Sequence, residues 1–312
     1  MNRHRAAGNL VRIMAAAAIL TLLVWRLGAG PFLDGLRLVD ARAVVAAVVL
    51  GAVTTLACAL RWRTVSRCLG VDMTLARATT AYYRSLFLNT TLPMGVAGDV
   101  HRAVLHSRAS GDSRGARSVA WERTAGQAVQ LALTVIVLLL LPSPVRSWMP
   151  AVALVVVACV LALAFVIVVT RPSTATWAGR VLTAVRDDVR RGLMARETWP
   201  VVVTASIVII VGNVATFVIA ARIVGTDASL ASLATIALLV LAAMSVPVSI
   251  AGWGPREGVA AWVFGAVGLG AAAGVTTAVV YGVMVLVATL PGAAVLAVES
   301  LRSAPSKGVV HG

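Results

Sequence analysis

Apolar residues in this chain fall in long runs rather than in alternation. The runs cover 13–25, 43–60, 119–141, 151–170, 200–223 and 276–298, with shorter apolar pieces at 229–246 and 259–269. Most approach or exceed the roughly 20 residues a helix needs to cross hydrocarbon. The polar stretches between them are too short for a separate soluble domain. The pattern predicts an all-α polytopic membrane protein, with about six to eight transmembrane helices in one membrane domain spanning 1–312.

Two stretches interrupt this pattern. The first apolar run follows Arg3, Arg5 and Arg12, as a signal peptide would. Arg26 comes directly after it without a clean small-residue cleavage site, which favours a first transmembrane helix with a cytoplasmic N-terminus. Residues 78–98 are apolar enough to enter the membrane, yet hold Tyr82, Tyr83, Arg84, Asn89 and Pro93, and are flanked by basic loops on both sides. The expectation is a re-entrant segment, tolerated only where protein or an aqueous cavity surrounds it. Residues 171–198 alternate arginines with Asp187, Asp188 and Glu197, and read as a surface amphipathic helix with both aspartates solvated. Arg61, Arg63, Arg67 and Arg77 read as a cytoplasmic loop, and Arg302 and Lys307 place the C-terminus on the same face.

Two polar segments answer each other across the chain. Asn89–Arg102 reads Asn-Thr-Thr-Leu-Pro-Met-Gly-Val-Ala-Gly-Asp-Val-His-Arg, and from Pro247 comes Pro-Val-Ser-Ile-Ala-Gly-Trp-Gly-Pro-Arg-Glu. Pro93 with Pro247, Gly98 with Gly252 and Arg102 with Arg256 share one offset of 154 residues. The offset predicts a duplicated unit, about 43–141 and about 197–298. An odd number of spans between the copies makes the repeat inverted. Transporters built that way place broken helices at the substrate site.

Composition sharpens this picture. Only 12% of residues are charged, about half the share of a soluble domain. The net charge of +15, with all but one of the 27 basic residues Arg, is mostly topological and calls for no nucleic-acid partner. Cys58, Cys68 and Cys159 have no metal-like spacing, and His4, His101, His106 and His311 form no ligand pair. No metal, no cofactor and no catalytic residue is expected.

Candidate chemistry therefore rests on the polar segments. Asp99 reads as an N-cap, and Pro255 as a first helical position with Glu257 behind it. A helix start offers free N–H groups to a phosphate, and Arg102 and Arg256 in the first turns add bidentate contacts. Arg84, Tyr83 and Asn89 complete such a site, or else satisfy the backbone of two re-entrant loops. Asp99 and Glu257 pair with these arginines or with each other. Glu122 and Arg123 stand at the mouth of the third span; with Gln127 and Gln130, Glu122 lines a polar face, or the pair anchors the helix at the interface.

At these residues the chain resembles the lysylphosphatidylglycerol synthase transmembrane-region family of flippase-like membrane proteins. The shared patterns are Asn-x-x-Leu-Pro-x-Gly-x-x-Gly-Asp-x-x-Arg, met by Asn89, Leu92, Pro93, Gly95, Gly98, Asp99 and Arg102, and Pro-x-Ser-x-x-Gly-x-Gly-x-Arg-Glu, met by Pro247 to Glu257. An acidic–Arg pair near the third span appears as Glu122-Arg123. The resemblance implies movement of an anionic, aminoacylated, glycosylated or polyprenyl-phosphate lipid between leaflets of a bacterial inner membrane. Bifunctional members carry a cytosolic aminoacyl-transferase domain; this chain ends soon after its last span, so the expectation is a standalone membrane region. Two rivals stay open: a membrane-embedded lipid-phosphate transferase, and a non-catalytic partner subunit of a synthesis complex. A second copy of the chain or a synthase subunit is the protein partner this reading admits.

Overall fold

The computed structural model of the chain describes residues 29–92, 95–169, 177–189, 196–245 and 254–303, together with Thr21 and Trp25. The rest of the first apolar run, Pro93 with Met94, and the second polar segment from 246 to 253 lie outside the described residues. Among the described residues all regular structure is helical.

Local chemistry sets the helix ends. A short helix α1 (Gly30–Arg37) precedes α2 (Ala41–Cys68), which starts where the Asp40 carboxylate accepts the Ala43 N–H at 2.8 Å. Helix α3 (Leu75–Thr91) starts on Thr74, whose hydroxyl accepts the Arg77 N–H. These are the side-chain caps that orphan N–H groups call for. Helix α4 (Ala97–Ser110) ends at Gly111, with φ of 74°, the left-handed stop that glycine adopts without strain. Then follow α5 (Arg114–Leu140), α6 (Met149–Val169) and α7 (Trp177–Asp188). A second group repeats the succession: α8 (Trp199–Ile223), α9 (Leu230–Met244) capped by Ser229, α10 (Pro255–Ala266) and α11 (Ala271–Ser303).

Helices α2, α5, α8 and α11 are long and apolar enough to cross a membrane. Helix α6 is apolar too, and its exposed Leu154, Val155, Leu161 and Phe165 suit contact with lipid tails. The protein is a multi-pass, all-helical membrane protein. Helix α2 runs well past the apolar stretch that ends at Leu60, so Arg61 lies inside a helix and is buried. The sequence reading of Arg61 as a loop residue is corrected on that point.

The stretch 78–98 is broken: α3 stops at Thr91 and α4 begins at Ala97. Helix α4 returns antiparallel along α3. Asn89 meets Gly98 and Asp99, Ser85 meets Asp99, and Tyr82 meets Arg102. Gly98 makes this possible, because a Cβ there would stand 1.9 Å from the Ser85 carbonyl oxygen.

Helix pairings come in matched sets. The pairs α2·α3, α3·α4, α4·α5 and α2·α5 have counterparts α8·α9, α9·α10, α10·α11 and α8·α11. Between the groups, α2 and α3 pack on α11 as α8 and α9 pack on α5, and α2 lies along α8. Small residues allow the close crossings usual in membrane bundles: Gly212 of α8 faces Thr54 of α2, and Gly51 of α2 faces Ala288 of α11. The second group has an apolar centre, where Phe217 stacks near Phe264 and Tyr281. The first group has charges at its centre.

Candidate functional site

Four helices converge their polar side chains between α2, α3, α4 and α5. Glu122 of α5 is 0% exposed. One of its oxygens accepts Arg61 Nε at 2.9 Å and the Tyr82 hydroxyl at 3.0 Å, and the other accepts Arg102 Nη2 at 3.0 Å. Arg102 Nη2 also donates to Asp99 at 3.0 Å, and Arg123 donates to the second Asp99 oxygen. Ser85 at 3.1 Å and Asn89 at 2.9 Å complete the shell of Asp99. Asn89 in turn accepts the Gly98 N–H at 2.8 Å, tying the broken segment shut. Arg61 reaches across to Ser206 of α8 at 2.8 Å. The Arg102 guanidinium lies 4.5 Å from the Trp62 ring centre and 4.1 Å from that of Tyr82, a favourable cation–π placement.

Three guanidinium groups thus share two carboxylates, leaving one positive charge in excess. Buried ions in apolar surroundings are tolerated only when paired and hydrogen-bonded, and here each carboxylate accepts from several donors. Glycine makes room for the cations. A Cβ at Gly126 would meet Arg61 Nη1 at 2.5 Å, and one at Gly282 would meet Arg256 Nη2 at 2.3 Å.

The network is a partition between two cavities. On one side a cavity of about 220 Å³ lies among α2, α3, α5, α8 and α11, with Arg61, Tyr82 and Arg123 in its wall. Its polar lining continues through Gln127, Gln130, Asn213 and Thr289. On the other side Arg102 and Trp62 line a second cavity of about 440 Å³. A shallower groove of about 310 Å³ between α5 and α9 shares Gln127 and Gln130 with the first cavity. There Ser245 donates to Gln127 at 3.1 Å and Gln130 reaches Ser245 at 3.5 Å.

The sequence model of the lysylphosphatidylglycerol synthase TM region family matches residues 9–292. The chain belongs to this family. No curated protein matches it. The family's description makes this a membrane protein of lipid-related function, and the match takes in the first four-helix group, the second as far as residue 292 within α11, and every residue of the network.

Several sequence expectations change in detail within this family member. Asp99 is no cap: α4 begins at Ala97, so Asp99 sits in its first turn and Arg102 in the next. Glu122 stands behind the cavity wall, and the lining face of α5 is Arg123, Gly126, Gln127 and Gln130. Arg84 pairs with Glu299 at 2.6 Å, away from Asn89, while the Tyr83 backbone packs on Gly292 of α11. Glu257 accepts the Gly254 N–H at 2.6 Å and Arg256 Nε at 2.8 Å, closing the start of α10, and Arg256 faces Tyr281.

Asp188 also departs from expectation. It is 6% exposed, accepts the Trp121 indole N–H at 2.8 Å and pairs with Arg117 at 3.3 Å. Asp187 is exposed, as expected of it. The sequence reading missed Arg61, Tyr82, Trp62 and Ser206. Arg61 carried a signal: it falls one helical turn from Cys58 and from Val65, on the inward face of α2.

Outside the long spans, burial together with Arg77 and Arg102 holds His106 below the ordinary imidazole value. Its Nε2 lies 2.9 Å from the Ser66 hydroxyl. At the α4–α5 turn, hydrogen bonds from the backbone and side chain of Arg114 lower the Asp112 carboxyl.

Proposed function

We propose that the chain carries the headgroup of an anionic lipid between the leaflets of a bacterial inner membrane. The supporting observation is the central cavity. It follows α2 from Ala47 to Arg61, about 21 Å at 1.5 Å per residue, against roughly 30 Å of hydrocarbon. Amides and hydroxyls at such depth are costly unless they meet water or polar cargo. Arg61 and Arg123, part of a network with one surplus positive charge, stand at one end and favour a phosphate or other anion. The α5–α9 groove, walled by Leu131 and Ala242, offers acyl chains a way to remain in lipid while the headgroup occupies the cavity.

In this reading the two four-helix groups are inverted repeats, the broken segments 78–98 and 232–252 are re-entrant, and both termini face the cytoplasm. The ion network separates the central cavity from the second one, as an inner gate would. Aminoacylated, glycosylated and polyprenyl-phosphate lipids all fit the chemistry described. A transferase would require a free acid or base at the cavity, and Glu122 and Asp99 are both held by guanidinium groups.

The test is translocation of fluorescent phosphatidylglycerol by the purified protein in liposomes, with an impermeant quencher. The wild type should expose the inner-leaflet pool, and Arg123→Gln, at the cavity wall, should slow this at least tenfold. Wild-type vesicles indistinguishable from protein-free ones for every anionic lipid offered would reject translocation. A partner-subunit role predicts instead that Arg123→Gln leaves cellular function intact.

A further inference from the structure

The arginines at the end of the central cavity favour a phosphate whatever it carries; the rest of the wall meets the group beyond it. Thr54 and Thr55 of α2, Gln127 of α5, and Asn213 and Thr216 of α8 belong to that wall. Thr54 donates to the Leu50 carbonyl and Thr216 to that of Gly212, each one turn back, so both hydroxyls keep lone pairs to accept with. Asn213 is partly buried, and its amide has no hydrogen-bond partner among the described residues. An amide left so at membrane depth calls for water or polar cargo. Donors and acceptors side by side are the complement of a hydroxyl, which both donates and accepts.

Charge supplies the second observation. The chain's 12 acidic residues all lie among the described residues, and none lines the central cavity. Glu122 and Asp99, in the adjoining network, are held by Arg61, Arg102 and Arg123, with one positive charge in excess. A phosphodiester with an uncharged headgroup cancels that excess. A lysyl ester adds two ammonium groups to the phosphate and so enters with net positive charge. It meets Arg61 and Arg123 and no free carboxylate, and an unpaired cation is costly at such depth.

We propose that the central cavity selects phosphate lipids whose headgroup is an uncharged polyol, such as glycerol, inositol or a sugar, and rejects aminoacylated ones. Asn213 is the residue that reads the hydroxyls. It falls two turns along α8 from Ser206, which holds Arg61. Those turns span about 10 Å, so the amide meets the headgroup rather than a phosphate seated at the arginines. This selection rests on the translocation reading and concerns the same site.

Translocation by the purified full chain in liposomes tests it with three acyl-labelled lipids, offered separately: phosphatidylglycerol, phosphatidylinositol and lysyl-phosphatidylglycerol. The wild type should move the first two about tenfold faster than the third. Asn213→Asp supplies a carboxylate to the cavity and should narrow that ratio about tenfold, speeding the lysyl lipid and slowing the other two. Gln127→Glu, one turn from Arg123 on the same wall, is a second carboxylate variant and should shift the ratio the same way. Three lipids moving at one rate would overturn the selection and leave translocation standing. A ratio unchanged in both carboxylate variants would overturn it too. Vesicles in which none of the three lipids moves would reject translocation itself, and the selection with it.

Discussion

Glu122→Gln tests the ion network at its centre. The carboxylate accepts from Arg61, Tyr82 and Arg102 with no exposure to solvent. The amide keeps one acceptor oxygen but turns an NH₂ toward a guanidinium, donor against donor. If the oxygen stays with Arg102, which also has Asp99, Arg61 keeps only Ser206. Removing one partner of a buried ion pair costs about 3–5 kcal/mol, because the other charge is stranded. If Arg61 is the stranded group, then adding Arg61→Met to Glu122→Gln should recover part of the loss. The cost of the pair should fall short of the sum of the single costs by about 1–3 kcal/mol. The assay is unfolding in mixed micelles by titration with sodium dodecyl sulfate, followed by tryptophan fluorescence. Single costs that add to within about 0.5 kcal/mol would refute the coupling. So would a Glu122→Gln variant as stable as the wild type.

Two further outcomes follow from the geometry. Gly98→Ala places a methyl against backbone that cannot yield, the Ser85 carbonyl at 1.9 Å, and should cost about 3 kcal/mol or more in the same titration. Gly126→Ala meets the far end of the Arg61 side chain, which Glu122 and Ser206 hold but which shifts more readily than backbone, and should cost less; equal losses would count against the α3–α4 contact. His106 has a folded-state pKa held below its unfolded value of 6.5, so the unfolded chain takes up the proton first. Its contribution to stability is whole above that value and is lost as pH falls. Between about pH 7.5 and about pH 5.5 the wild type should lose more thermal stability than His106→Gln, His101 being common to both; equal losses would remove His106 from the account.

Much of the fold was legible in the order of apolar runs. Their lengths marked α2, α5, α8 and α11, and Pro93 with Gly95 marked the break between α3 and α4. The start of α10 was legible too, because Pro255 and Glu257 act on backbone within one turn. What escaped depends on partners far away in the chain. An arginine at the end of an apolar run looks the same whether water or a carboxylate receives it. Arg61 finds Glu122 only when α2 packs on α5. Asp188 reads as solvated among its neighbouring arginines, and Trp121, 67 residues away, buries it. Arg102 was singled out from the sequence, but not its partners: it is buried between Asp99, Glu122 and the Trp62 and Tyr82 rings, leaving Arg61 and Arg123 to face the central cavity.

The central claim is that a headgroup passes through the cavity beside α5 and α9. The most direct measurement is lipid translocation by a variant carrying Gln130→Cys and Ser245→Cys, with the three native cysteines replaced. These two side chains already meet at the groove that shares Gln127 and Gln130 with the central cavity. Oxidation to a disulfide should stop translocation of fluorescent phosphatidylglycerol, and reductant should restore it to the level of the unoxidised variant. Undiminished translocation with the disulfide fully formed would contradict the account.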